Sequence, residues 1–450
     1  MPLYPYQVRF VADVQQAFRG RAANGSLVRA VLGQMPTGGG KSASAIEGFI
    51  VPSVERGHRV IFFADLGEIL DDAAARIAAT GVRTGIFRAG HRFDPEAQVY
   101  VASLQTCARR LSELPEASRV IVDEAHGSEA ATVRDVLARY QTAKVLGLTA
   151  TPARGDGQPL SEFQSLVCGP SMTELIALGA LVQPRVLSPE RVLDKGVCED
   201  PVAAVLTRAA DRRCVVFAPD AASAADIAAR LTAEGHPTVA VLDGMGREAR
   251  KRVRDQLADG TVQSLVTVRA LVKGFDAPVL DCAVLCTLGS ITSYLQSIGR
   301  ALRAHPASGK RDALVLDLRG AVWVHGLPEE DRAWTLEGSQ GRPSAAPAES
   351  LRRCRACHAI FSGAKTRCPR PGCGAILVAH ARGLRIQRAQ MIEASGASVK
   401  DRAARYRDAI RDRLLKAGKP SHVAERVAHE ATVKKFYSQT EQNEEVRNVG

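Results

Sequence analysis

Short, almost uninterrupted apolar runs recur along the chain, each followed by a polar or glycine-containing turn and then a longer segment with helical spacing. In the first half these runs are Leu27–Leu32, Arg59–Ala64, Val120–Val122 and the stretch ending at Leu148. An apolar run without polar alternation predicts a strand covered on both faces, as in a parallel sheet. Val8–Phe18 places Val11, Val14 and Phe18 at helical spacing, and Ser44–Ile50 predicts a further helix. From about Val202 the alternation resumes: strands at Arg213–Ala218, Val239–Leu242, Ser264–Val268 and Ala313–Leu318, with helices at Ala221–Leu231 and Gly246–Leu257. Strands alternating with helices over this length imply an α/β protein with two doubly wound parallel sheets. The expected organisation is a first lobe over 1–182, a connector over 183–200 and a second lobe over 201–338, against which Trp323–Trp334 packs. A linker over 339–350, a cysteine module over 351–378 and a helical tail over 379–450 complete it. In the tail, Val399–Lys416 reads as a helix with Ala403, Tyr406, Ile410 and Leu414 on one face, and Ser421 caps a last helix.

The chemistry begins at Met35-Pro36-Thr37-Gly38-Gly39-Gly40-Lys41-Ser42, directly after the first apolar run. A strand feeding a glycine-rich turn that opens a helix is a phosphate cradle, because backbone N–H groups converge there on an anion. Lys41 would reach the β- and γ-phosphates, and Ser42 would ligate Mg²⁺. Met35 stands where the strict pattern has its first glycine, so the motif alone leaves open a glycine-rich loop with an adjacent Lys-Ser. Val120–His126 then supplies a strand ending in Asp123 and Glu124, one carboxylate to hold Mg²⁺ and one to polarise a water. Leu148–Pro152 ends a strand in the hydroxyls of Thr149 and Thr151, and Gln296–Arg303 carries Arg300 and Arg303 three positions apart.

This ordered set resembles the DEAH-box ATPases of helicase superfamily 2 over about residues 3–338, and within them the compact bacterial and phage repair helicases with a cysteine cluster after the motor, the RadD-type. The resemblance implies two tandem RecA-like lobes, with ATP and Mg²⁺ held by Gly38, Gly39, Gly40, Lys41, Ser42 and Asp123. It implies that Gln7 reads the adenine edge, that Gly274 and Asp276 belong to an element between nucleotide and nucleic acid, and that Gln296, Arg300 and Arg303 act on the phosphates from the second lobe. Thr149 and Thr151 would couple the carboxylates to lobe motion, and Val101–Thr106 would touch the tracked strand. Two departures stand out. Tyr4 occupies a position where relatives often carry arginine, and Asp65, Asp71 and Asp72 replace a usual phosphate grip.

Composition changes the picture in three ways. No apolar run approaches the roughly 20 residues needed to span a bilayer, and the N-terminus lacks a basic region followed by an apolar one, so a cytoplasmic protein is expected. Of ten cysteines, Cys214, Cys282 and Cys286 fall in apolar runs and read as buried thiols. Cys354-x₂-Cys357-x₁₀-Cys368-x₄-Cys373 has the spacing of a four-thiolate structural zinc site, with His358 as a possible substitute ligand and redox thiols as the alternative. The net charge of +12 is located entirely in the last hundred residues, which hold 21 Lys+Arg against 9 Asp+Glu. A neutral motor with a basic tail implies a polyanion partner, the alternative being a solvated helical face. The sequence therefore predicts a monomeric ATP-dependent DNA helicase or translocase of repair, recombination or replication, needing ATP, Mg²⁺ and Zn²⁺, with no membrane contact and protein partners left open. The competing readings are an ATP-switched DNA-binding accessory protein that does not unwind, and an RNA helicase, whose aromatic recognition modules are not visible in this sequence. No carboxylate cluster reads as a nuclease site.

Overall fold

The computed structural model describes the chain apart from residues 1, 65–66, 89–93, 127–129, 154–158, 194–195, 243, 269–276, 338–350, 355, 362–366, 377–394, 398, 417–420 and 437–450. Two compact units result, one built on Met1–Leu181 and the other on Val182–Ala270 and Ala277–Ala333 with the C-terminal segments.

In the first unit the described strands are β1 (Ala30–Gln34), β2 (Val60–Ala64), β3 (Thr84–Phe87), β4 (Val99–Ser103), β5 (Arg119–Val122), β6 (Lys144–Thr149) and β7 (Ser165–Cys168). They form a parallel sheet in the order β3-β4-β2-β5-β6-β1-β7. Successive residues of a strand point to opposite faces, and the two cores show it. Val31, Phe62, Ile121 and Leu148 join Phe10, Val14, Ile46 and Ile50 on one side, whereas Leu32, Phe63, Val122 and Val145 join Tyr100, Leu137 and Phe163 on the other. Both faces being covered, the strands need no polar alternation, and the uninterrupted runs follow.

The second unit repeats the plan with β8 (Gln183–Leu187), β9 (Cys214–Phe217), β10 (Thr238–Ala240), β11 (Ser264–Thr267), β12 (Cys282–Leu285) and β13 (Asp312–Asp317), in the order β10-β11-β9-β12-β13-β8. These too pair in parallel. Each unit is a RecA-like α/β lobe.

Two segments differ from expectation. Gln183–Leu187, placed by the sequence in a connector, is a full strand: β8 pairs with β13 over Gln183–Leu187. The sheet also continues past β8 through β15 (Ile360–Phe361), β14 (Leu351–Arg353) and β16 (Ser395–Ala397), all antiparallel, starting from the pair Ile360 and Val186. The cysteine-bearing hairpin is thus grafted onto the edge of the second sheet. Trp323 does belong to the second lobe, its indole donating to the Pro189 carbonyl at 2.7 Å. Trp334 does not: the chain there rejoins the first unit, where Leu336 packs on the core and its carbonyl accepts from Leu160 N at 2.7 Å. The tail carries the expected helices, Val399–Lys416 and Ser421–Phe436.

Candidate nucleotide site and cysteine cluster

The phosphate loop leaves the end of β1 and is tied to β6, with Gln34 Nε2 donating to the Ala150 carbonyl at 3.0 Å and Met35 N to the Thr149 carbonyl at 3.0 Å. Met35, the residue standing in place of a glycine, is fully buried in the lobe core, and a Cβ on Gly39 would lie 2.7 Å from its Cγ. The apolar anchor and the glycine beside it therefore require each other. Gly40 is required twice over: its φ is +88°, and a Cβ there would lie 2.0 Å from Gln7 Nε2. Gln7 itself is buried, accepting from Tyr4 N at 2.9 Å and donating to the Gly39 carbonyl at 3.3 Å, so it fastens the first helix (Pro5–Ala17) to the loop. Lys41 Nζ donates to the Met35 carbonyl at 3.1 Å across the same loop.

The helix that follows is not the uniform one expected. Lys41–Ala45 and Val51–Glu55 are α-helical, and Ile46–Ile50 between them widens into a π-turn. Gly48 lies in the wide turn, where a Cβ would stand 2.4 Å from Val11 Cγ2, so the first helix packs directly on its backbone. Gly48→Ala is expected to force these helices apart and lower the thermal midpoint by several degrees, about 1–3 kcal/mol for overpacking, measured by calorimetry. An unchanged midpoint would mean the contact yields freely.

The carboxylates sit where β5 ends. Asp123 N donates to the Phe63 carbonyl and Ala125 N to that of Leu148, which bind the turn to β2 and β6. Glu124 between them has φ +48°, a left-handed conformation that costs a non-glycine residue about 1–3 kcal/mol. Its amide donates to Asp123 Oδ1 at 3.0 Å, and the turn sets its carboxylate 3.3 Å from His126 Nδ1. Burial, then the charge of Glu124, pushes the Asp123 carboxyl well above its usual range, and Lys41 acts against that shift. A half-buried like-charge pair facing a lysine is the donor set that a divalent cation would relieve.

His126 extends the network. Thr149 Oγ1 lies 2.9 Å from the Thr151 carbonyl, accepts from Thr151 N and stands 2.7 Å from His126 Nδ1. Burial lowers the pKa of the His126 ring. The sequence reading gave His126 no role; its position two residues after Glu124 was the available signal.

In the second unit, Ile291–Leu302 is a helix capped by Ser290, whose Oγ accepts from Ser293 N at 3.2 Å. Gln296 and Arg300, four apart, share one of its faces. Gln296 is buried, Arg300 half-buried, and Arg303 ends the helix in an extended conformation. Gly274 and Asp276 lie outside the described residues. The structure thus gathers Gln7, the Gly38–Ser42 loop, Asp123 and Glu124 within the first unit, and Gln296, Arg300 and Arg303 within the second.

The four cysteines converge. Their Sγ atoms all lie within 4.8 Å of one another, with Cys354 to Cys373 at 3.7 Å and Cys357 to Cys368 at 3.6 Å. Zinc–sulfur bonds of about 2.3 Å in a tetrahedron give edges of about 3.8 Å, so the spacing fits that ion. His358 is not part of the group: it is exposed, with φ +58°, and its amide donates to the Cys354 carbonyl to close the first turn. Eight of the twelve excess positive charges fall in residues 351–397, so the basic character belongs more to this module and the segment after it than to the tail helices.

Comparison with known proteins agrees with this geometry. Residues 1–154 match the family model described as Type III restriction enzyme, res subunit, and residues 199–305 match the Helicase conserved C-terminal domain. The chain belongs to helicase superfamily 2. Its first lobe is of the kind found in restriction-enzyme helicase subunits. A 51.5 kDa protein of a Lactococcus phage (isolate 7-9) is 23% identical over 359 residues, 74% of this chain and 76% of that protein. Among solved structures, a fragment assigned as the HsdR subunit of a type I restriction enzyme from Vibrio vulnificus aligns with TM-score 0.52 at 21% identity, covering 70% of this chain and 63% of that one. The ATP-dependent Type ISP restriction-modification enzyme LlaBIII, bound to DNA, aligns with TM-score 0.53 at 14% identity over 71% of this chain and 28% of that one. These two share the fold, and this chain spans less than two thirds of either. Among the described residues no helix is long and apolar enough to cross a membrane.

Proposed function

We propose that the protein is a cytoplasmic, monomeric DEAH-type DNA helicase or translocase of the RadD kind, coupling ATP hydrolysis to movement on or remodelling of DNA in repair, recombination or replication. The observation that carries the reading is the set built on the adjacent strand ends of β1, β6 and β5: the Lys41 loop, the Thr149 hydroxyl, and the Asp123–Glu124 turn, linked by Lys41 and His126. In it Gln7 would select adenine, the Gly38–Gly40 amides and Lys41 would bind the phosphates, and Ser42 with Asp123 would hold Mg²⁺, whose charge would offset that of the phosphates. Glu124 orients and deprotonates the water, and His126 passes the state of that carboxylate to Thr149. Gln296, Arg300 and Arg303 act on charge that develops as the γ-phosphoryl group departs. DNA is favoured over RNA because the first lobe matches a restriction-enzyme family and because the positive charge is concentrated beside a candidate zinc module.

Arg300→Ala and Arg303→Ala are each expected to keep ATP affinity within about twofold and to lower turnover by about 10³ or more, since an arginine acting on the transition state leaves ground-state binding alone. Nucleotide titration beside steady-state hydrolysis checks this. A raised KM with kcat unchanged would make that arginine a ground-state contact. Strand displacement assayed with DNA-stimulated hydrolysis separates an unwinding motor from an ATP-switched accessory protein.

A further inference from the structure

The nucleotide reading leaves the opposite end of the first sheet unused. There the strands begin, a strand length from the glycine-rich loop, about 16 Å at about 3.3 Å per residue. Register sets cations side by side along that edge. Arg119 opens β5 and Lys144 opens β6, and the two are direct partners, with Val60 of β2 on the other side of Arg119. His58, two positions before Val60, reaches the same place: its Nε2 is 2.7 Å from Arg119 Nη2 and its Nδ1 3.0 Å from Ser118 Oγ. The first helix delivers Arg19 just past Phe18, and Lys144 Nζ stands 5.4 Å from the centroid of the Phe18 ring. The helix Val51–Glu55 delivers Arg56 at its end.

Four cations and a histidine therefore gather without an acid. Elsewhere on this lobe arginines are matched, Arg83 with Asp94, Arg110 with Glu113 and Arg139 with Glu116. Among the described residues, none of Arg19, Arg56, Arg119 and Lys144 forms an ion pair with a carboxylate. Burial, then the charges of Arg119, Arg56 and Lys144, lowers the His58 pKa, and burial, then Arg119 and Arg19, lowers that of Lys144. Helix C-termini favour cations, which accounts for Arg19 and Arg56. Strands carry only small dipoles, so Arg119 and Lys144 have no such reason to start two neighbouring strands.

Resting on the reading of the protein as one that acts on DNA, we infer that this edge is a docking surface for the sugar-phosphate backbone of duplex DNA, at the end of the lobe away from the nucleotide set. A duplex is favoured as the occupant on two grounds. Neighbouring strands about 4.8 Å apart and two helix ends fix the cations in place, and a duplex likewise presents its phosphates at fixed positions. It also carries one charge per about 1.7 Å of axis, twice the density of one strand alone. Arg19, Arg56 and Lys144 are exposed and reach outward, whereas Arg119 and His58 are partly buried behind them. A phosphate placed among them supplies the counter-charge that the protein omits and accepts charge-assisted hydrogen bonds.

The test is fluorescence anisotropy of the 450-residue chain, without nucleotide, on a labelled blunt duplex and on a labelled oligothymidylate across a salt series. Arg19→Gln combined with Lys144→Gln is expected to bind duplex at least about tenfold more weakly, with a salt slope shallower by about 1.8, two phosphates at about 0.9 each. Its affinity for the single strand should stay within about twofold of wild type. Arg19→Lys combined with Lys144→Arg should keep duplex affinity within about twofold. Lys251→Gln combined with Arg252→Gln removes the same charge from exposed positions on the second unit's helix Arg247–Asp259 and should leave the duplex slope unchanged. A wild-type duplex slope in the first variant, an equal loss on single strand or in the second-unit control, or a loss in the charge-keeping variant would overturn the inference. If the first variant fails to fold, Arg56→Gln carries the same expectation for one phosphate. Single-strand binding by the wild type separates this inference from the reading beneath it: with that binding intact, failure ends the docking surface alone, and binding to neither DNA ends both.

Discussion

Lys41→Ala and Glu124→Gln are each expected to reduce ATP hydrolysis to background, and nucleotide affinity should tell them apart. Lys41 reaches across the glycine-rich loop as far as the Met35 carbonyl and shares its field with Asp123; in the proposed function its ammonium is a ground-state contact for phosphate oxygens. Removing it costs binding and transition-state stabilisation together, and ATP affinity should fall at least about tenfold. Glu124 is different. Glutamine keeps its size, tolerates the same left-handed backbone to the same degree and retains an oxygen to face His126. What it loses is the basicity that the proposed mechanism needs to take a proton from water. Turnover should therefore fall by about 10³ or more while affinity stays within about threefold. Fluorescent nucleotide titration beside a phosphate-release assay measures both. Turnover retained by either variant would remove that residue from the mechanism, and equal loss of affinity in both would mean that Glu124 helps hold the nucleotide.

Cys368→Ser is expected to have the second large effect, on the other unit. The packed core of the cysteine module is small, Cys354, Phe361 and Cys368 with a few partly buried neighbours, far too little to hold the hairpin without an ion. Structural zinc in such modules contributes about 10–16 kcal/mol of binding free energy, which is folding free energy. The expected result is a fall from about one zinc per chain to near zero, with the hairpin unfolded. Because β15 covers the β8 edge of the second sheet, its loss bares a strand edge, and the unfolding midpoint should drop and aggregation rise. DNA affinity should fall at least about tenfold with a shallower salt slope, since eight of the excess charges lie in 351–397. Chelation of the wild type should move every readout in the same direction. A wild-type preparation that contains no metal, with the same midpoint and DNA affinity after chelation, would contradict the assignment.

The lobes were legible because parallel strands covered on both faces leave continuous apolar runs, and the residues proposed to hold the nucleotide were singled out by motifs that follow one another along the chain. What escaped has physical causes. β8 hides in Gln183-Pro184-Arg185-Val186-Leu187, where a proline and an arginine break the apolar run; the strand faces β13 along its length but meets only one residue of β15 on its other side. The return of the chain to the first unit at Trp334–Glu337 follows from tertiary packing of Leu336, with no local signal. Asp71 and Arg88 are 17 positions apart, and only the register of β3 against β4 brings them together. The π-turn at Ile46–Ile50 is likewise invisible without the helix carrying Val11.

Steady-state ATP hydrolysis by the 450-residue chain, with Mg²⁺, measured with and without single-stranded DNA and repeated for Glu124→Gln, tests the central claim most directly. The account predicts hydrolysis that rises at least about tenfold when DNA is added and is lost in the variant. Hydrolysis that is absent, that is indifferent to DNA, or that survives the substitution would contradict it.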